Sequence, residues 1–294
     1  MKQLAEKHAL RNDHAAYELA LMRFDSGVSF DESCELREFV GSGKGRYTLN
    51  SYRKLACSSG LFFEKIYAAD SLDWRKCQYF YEQVVPKLGG EYVRVPALRC
   101  SQGGNRLVVA RLEFVEFTPI DQHSYIDEVV SITNRLASLG VSGADVPAEL
   151  LDLSLHFGFE RCFQKTLGVV LRAGGNVDLL KIMRDRCEAL PRFVGHGDLS
   201  RPNMGGGALV LDWDNFGFYP PGFDLALALV LSGGLLGDAE LEDFARRGYD
   251  PIAEHCSFHD FWFSLVFFYS VFLSARKAEH KIYCLGLLEG YSHA

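Results

Sequence analysis

The chain has 294 residues, 48% of them hydrophobic and 13% aromatic, and carries a net charge of −7. That is ample apolar material for one large domain or two lobes. The charges are spread along the sequence with no Lys/Arg-rich run, which argues against nucleic acid as the main partner.

Residues 1–26 set Leu4, Leu10, Tyr17, Leu19 and Met22 among polar groups, predicting an N-terminal helical extension over residues 1–34. The opening MKQLAEKHALRNDH is charged and lacks the apolar run of a secretory leader. Eight cysteines are scattered singly with no CxxC pair, so the chain is expected to be reduced and cytoplasmic. From Glu35 three short strands are predicted, with turns at Gly41–Gly45 and Ser58–Gly60. A helix over Ser71–Leu88 follows, closed by Gly89-Gly90, and then two strands near Tyr92–Cys100 and Arg106–Phe114.

From Gln122 the helical period dominates, over 124–139, 146–172, 177–189, 223–234, 238–248 and 258–290. One loop and hairpin at 194–213 interrupts it. The stretch FWFSLVFFYSVFL at 261–273 is too short to span a bilayer and is expected as a buried helix, so no integral membrane segment is expected. The change of character near Phe117-Thr118-Pro119 divides a β-rich part, residues 35–118, from a mainly helical part, residues 119–294. An α+β chain of two lobes with a ligand cleft is the architecture this pattern predicts.

Chemistry concentrates in residues 194–226, VGHGDLSRPNMGGGALVLDWDNFGFYPPGFDLA. Phosphoryl transfer asks a protein mainly for positioning and charge neutralisation. Asp198 is a candidate base for an acceptor hydroxyl. Asn203, five residues on, and Asp212, after the apolar run Ala208–Leu211, offer an amide oxygen and a carboxylate to magnesium, which takes few protein ligands. Pro202 stiffens the approach to Asn203, and Gly205-Gly206-Gly207 supplies the turn into the strand. Single Asp or Asn residues beside Gly and Pro are common turn formers. The complete set is far more specific.

The series His196-Gly197-Asp198-Leu199-x-x-x-Asn203, Leu211-Asp212-Trp213-Asp214 and Pro221-x-x-Asp224-Leu225-Ala226 resembles the aminoglycoside phosphotransferase and choline kinase family. The resemblance implies a bilobal protein-kinase-like fold, with a small antiparallel sheet lobe carrying one main helix and a larger helical lobe. It also implies ATP- or GTP- and magnesium-dependent phosphorylation of a small-molecule hydroxyl. By the match Asp198 is the catalytic base and Asn203 and Asp212 the metal ligands. Asp224 braces the loop by accepting backbone N–H bonds, and His196 is a structural member of it.

In the β-rich part, Gly41-Ser42-Gly43 within FVGSGKG forms a turn whose backbone N–H groups would cover phosphates, or simply a hairpin turn. It is neither a Walker A loop nor a dinucleotide fingerprint, since Arg46 stands where the latter needs glycine. Lys65, in the apolar strand LFFEKIY, takes the place of the lysine that in the resembled family pairs the α- and β-phosphates. Lys54 and Lys44 are rivals in more polar surroundings. Glu113 and Val115, at the end of the fifth strand, complete the candidate nucleotide-binding set. The glutamate with which the family pairs that lysine would fall at Cys77. The nearest acid, Glu82, projects about 140° away from it on an α-helix.

Only eleven residues separate Asp212 from Asp224, and no Ala-Pro-Glu-like signature is present. A peptide platform does not fit there, so the expected acceptor is an amino alcohol, a sugar or an aminoglycoside. Asp214, Glu254, Asp260 and Trp262 are available to a cationic one. His255 and His259 have metal spacing but no third ligand. The contrasting class is a non-catalytic nucleotide-binding or scaffold protein of the same fold, which the missing helix glutamate favours. Magnesium-dependent ATP turnover separates the two.

Overall fold

The computed structural model describes residues 34–42, 51–89, 93–103, 107–140, 145–233 and 236–276. The expected N-terminal helix, Gly43 with its turn, and the helical run beyond 276 lie outside them. The chain forms two compact units, divided at Phe117/Thr118, and the segment Val84–Arg94 belongs to the second.

The first unit is an antiparallel sheet of five strands: β1 (Cys34–Ser42), β2 (Ser51–Cys57), β3 (Gly60–Ala68), β4 (Leu98–Gly103) and β5 (Leu107–Glu113). Their order is β1-β2-β3-β5-β4. Helix α1 (Leu72–Tyr79) follows β3, its first turn capped by Ser71, whose hydroxyl accepts the Trp74 N–H. The predicted single helix to Leu88 is broken in character. A π-helical turn occupies Phe80–Val84, and only then comes α2 (Val85–Leu88), with Pro86 inside it. Proline lacks an N–H and collides with the carbonyl four residues back, so a wide turn just before it relieves the conflict.

β3 sorts its side chains by alternation. Tyr67 packs with Ala110 of β5 and Cys77 of α1, and Lys65 shares that face because its Cα partner is Ala110. Glu64 turns to the opposite face and is bonded by Arg111 at 3.0 Å, both side chains buried.

The β1–β2 register sets Cys34 directly opposite Cys57. Antiparallel partners of this kind have Cα atoms about 4.5–5.5 Å apart, within the span of a disulfide. Cys57 is disulfide-bonded, which corrects the expectation that all cysteines are reduced. Cys77, Cys162, Cys187 and Cys256 are free thiols.

The second unit is helical: α3 (Tyr125–Ala137), α4 (Ala148–Leu151), α5 (Phe157–Arg172), α6 (Val177–Glu188), α7 (Phe223–Leu231), α8 (Asp238–Tyr249) and α9 (Phe258–Arg276). The predicted helix over 146–172 is interrupted at Asp152 and His156. Both adopt extended backbone and cap with their side chains, Asp152 taking the Ser154 N–H and His156 the Phe159 N–H. Helix α9 is apolar and long enough to cross a membrane by composition, yet 72% of its most apolar window is buried within the fold, against α5 and α7. Phe159, Phe223, Phe268 and Phe272 meet edge to face at ring separations of 4.9–6.0 Å, adding aromatic contact to area burial. Short strands β6 (Phe193–Gly195), β7 (Met204–Gly205), β8 (Leu209–Val210) and β9 (Gly217–Tyr219) form two antiparallel pairs, β6–β9 and, between them in sequence, the hairpin β7–β8.

Candidate active site

β6 delivers the chain into the loop His196–Ser200, whose peptide groups are taken up one after another. Asp224, on the first turn of α7, accepts the His196 N–H at 2.7 Å and the Gly197 N–H at 2.8 Å with its two carboxylate oxygens. Gly197 has φ +81°, and a Cβ there would collide with the Asn215 carbonyl, so only glycine fits this turn. The Asp198 N–H donates to His196 Nδ1 at 3.0 Å, and His196 Nε2 in turn lies 2.8 Å from the Leu211 carbonyl. An acceptor at Nδ1 puts the proton on Nε2, so His196 is neutral and buried, and joins the loop to the strand ahead of Asp212. The Leu199 carbonyl accepts the Tyr125 hydroxyl of α3 at 2.6 Å.

Asn203 ends a 3-10 turn, Arg201–Asn203, which Arg201 ties to the Ile120 carbonyl and the Gln122 side chain. Its Nδ2 donates to the Asp198 carbonyl at 3.0 Å and reaches the Asp198 carboxylate at 3.4 Å. With the amide nitrogen turned into the loop, the amide oxygen is the Asn203 atom that could meet a cation. The β7–β8 hairpin then returns the chain, and the Leu211 N–H bonds the Asn203 carbonyl at 2.8 Å. Asp212 follows in left-handed conformation, φ +59° and ψ +59°. That is strained backbone for a non-glycine residue and is tolerated where the surroundings over-determine it. Here the Trp213 indole N–H closes the turn on the Val210 carbonyl at 3.1 Å.

Electrostatics follow from burial. Desolvation lifts the Asp198 carboxyl above its ordinary value, the Ser200 side-chain bond lowers it, the charge of Asp212 raises it again, and Arg276 and Asn203 lower it. Asp224 is pushed up to about 6 by burial, against the two N–H bonds that favour its ionised form and the nearby charge of Asp198, which does not. Asn203 and Asp212 fit a hard divalent cation: one neutral and one anionic oxygen, beside a second carboxylate whose repulsion such a charge would cancel.

Asp198, Asn203, His196, Asp212 and Asp224 are thus gathered on one loop, one hairpin and one helix turn of the second unit. Lys65, Gly41, Ser42, Glu113 and Val115 belong to the first unit. Lys65 is buried, 4% exposed, whereas its rival Lys54 sits over the Phe114 ring at 3.7 Å and beside Glu116. Gly41 and Ser42 end β1, paired with Tyr52 and Ser51; Glu113 ends β5 and is reached by Arg99, with Val115 just after it. Cys77 stands on the face of α1 turned to Tyr67 and Ala110, while Glu82 is exposed and bonded by Gln78. No group of three or more His, Cys, Asp or Glu side chains suited to a metal occurs among the described residues, His255 and His259 included. Asp260 is engaged by Arg186 and Ser257.

One participant was not visible in the motif. His156, at the start of α5 and 4% exposed, places Nε2 2.9 Å from the Gly197 carbonyl. Its distance of 41 residues from Gly197 hid it, and a histidine ahead of an apolar helix carries no signal of its own.

The family model described as the phosphotransferase enzyme family matches residues 87–255. No curated protein matches the chain by sequence. Among solved structures, a microcompartment-associated aminopropanol kinase is 14% identical with a TM-score of 0.50, covering 95% of both chains. A choline kinase from Cryptosporidium parvum Iowa II is 10% identical with a TM-score of 0.50, covering 95% of this chain and 94% of that one. At such identities the likeness is one of fold, the two-part α+β fold of small-molecule kinases.

Proposed function

The chain belongs to the phosphotransferase enzyme family, and from that premise we propose that it transfers the γ-phosphate of ATP (or GTP) to a hydroxyl of a small acceptor. The observation that supports this reading is the loop at 196–199, whose backbone N–H groups are taken by Asp224 and His196 and whose Asp198 is bonded by Asn203. Asp198 accepts the proton of the acceptor hydroxyl; its raised pKa makes it a stronger base for that task. Asp224 and His196 keep the loop in place by taking backbone N–H groups. Asn203 and Asp212 would hold magnesium, which supplies neutralisation of phosphate charge when bound. Lys65, with Gly41, Ser42, Gly43, Glu113 and Val115, would hold the nucleotide. A small alcohol, amino alcohol, sugar or aminoglycoside is the acceptor class, because the short segment from Asp212 to Asp224 leaves no peptide platform.

Cys77 in place of the helix glutamate favours a second reading, a nucleotide-binding protein of the same fold that does not turn over. One experiment decides. Magnesium-ATP turnover is measured with ethanolamine, glucose and kanamycin as hydroxyl probes, in the wild type and in Asp198→Ala. A loss of about 10²-fold or more is expected for removal of a positioned base. Nucleotide binding with no transfer to any probe would favour the second reading. Equal turnover in the variant would remove Asp198 from its role.

A further inference from the structure

The bonds of His156 do more than start a helix. The Phe159 N–H donates to Nδ1 at 2.9 Å, so the ring proton sits on Nε2, which donates to the Gly197 carbonyl at 2.9 Å. The ring is held in place by Tyr219 and Phe223, edge to face at 5.4 and 5.1 Å. Helix capping alone is better served by Asn, Asp or Ser, whose short side chains meet the same N–H. None of those reaches both the Phe159 N–H and, on the far side of a ring, the Gly197 carbonyl. Gly197 immediately precedes Asp198, and the peptide joining them is held at its carbonyl by His156 and at its N–H by His196 Nδ1, while Asp224 fixes the Gly197 N–H of the peptide before it.

We propose that His156 is a positioning residue for phosphoryl transfer: it holds the Gly197–Asp198 peptide plane and thereby the direction of the Asp198 carboxylate. The proposal rests on the role assigned to Asp198 above. With the Gly197 carbonyl released, that plane is tied only through the Asp198 N–H to His196 Nδ1 and can tilt about that one bond, and small misplacements of a catalytic group cost large factors in rate.

Two isosteric variants separate positioning from folding. Asn at 156 presents an oxygen where Nδ1 stands and keeps the helix cap, but cannot reach Gly197. Gln presents an N–H where Nε2 stands and keeps the Gly197 bond, but loses the cap. His156→Asn is expected to lose a few degrees of Tm with the Gly197 bond and the ring packing, comparable to the loss in the Gln variant, and to keep its KM for ATP within about twofold, while kcat falls about tenfold or more. His156→Gln is expected to lose a few degrees of Tm, on the order of the 2–4 °C that one cap is worth in a chain of this size, with kcat within about threefold. Amide exchange of the peptide carrying Gly197 and Asp198 should quicken in the Asn variant and not in the Gln variant. A kcat in His156→Asn equal to wild type overturns the proposal, as does a fall in both variants that tracks Tm. Failure of the functional premise is recognisable apart from these, since the wild type itself would then transfer no phosphate to ethanolamine, glucose or kanamycin, and the proposal would fall with it.

Discussion

Replacing Asp224 by Asn should make the protein more stable at neutral pH and a poorer catalyst. The carboxyl is 7% exposed and its pKa is raised from 3.8 to about 6, chiefly by desolvation. The folded state therefore binds this proton more tightly than the unfolded chain does. Its contribution to stability is full below about pH 4, declines as pH rises to about 6, and is level above that. At about 1.4 kcal/mol per pH unit, the shift from 3.8 to about 6 amounts to about 3 kcal/mol. Asparagine is the neutral isostere of the protonated acid, so the variant should match wild type near pH 4 and exceed it by up to about 3 kcal/mol at pH 7. Its amide offers one acceptor where the carboxylate offers two, so either the His196 or the Gly197 N–H loses its partner. The loop loosens, and turnover should fall about tenfold or more. Urea unfolding at pH 4, 5, 6 and 7, followed by tryptophan fluorescence, to which Trp213 contributes with its ring 4.5 Å from that of His196, reads the stability arm. A variant less stable than wild type at pH 7 would show that the two N–H bonds outweigh burial, and would refute the reasoning.

Gly197→Ala forces a side chain onto φ +81° and to within 2.9 Å of Asn215 Cβ and His156 Nε2. A loss of about 3 kcal/mol or more is expected in chemical denaturation. Glu64→Gln leaves the Arg111 guanidinium buried without its carboxylate and should cost about 3–5 kcal/mol, whereas Glu64→Leu with Arg111→Met together should be near neutral, both read by thermal melts. Peptide mapping without reductant should find Cys57 linked to Cys34, its partner across the β1–β2 ladder, with Cys77, Cys162, Cys187 and Cys256 alkylated. Asp198→Ala should retain wild-type folding in circular dichroism while losing turnover, as set out above.

Much of this was written locally in the chain. Strand and helix periods located the sheet and the helical half because alternation and the 3.6-residue repeat are short-range signals. The loop at 196–203, the hairpin and Asp224 were legible because their spacing lies within thirty residues and each type has a geometric purpose. The break at 152–156 was not, because Asp152 and His156 interrupt an otherwise helical pattern with side-chain caps that propensity alone does not weigh. The π-helical turn before Pro86 was equally hidden, since a proline announces a disturbance but not its form. His156 on Gly197 and Glu64 on Arg111 are contacts between residues 41 and 47 positions apart, where no periodic signal operates. The disulfide at Cys57 was missed by reasoning from compartment rather than from strand register.

Helix α9 also sets the order in which the protein can be made. It closes over α5 and α7, whose phenylalanines at 159 and 223 rest on Phe268 and Phe272. A ribosome must therefore translate nearly the whole helical half before those rings find cover. Until then the nascent chain displays a sticky aromatic surface. Synthesis that stops short of residue 258 leaves Phe159 and Phe223 without that cover and should yield aggregation-prone product.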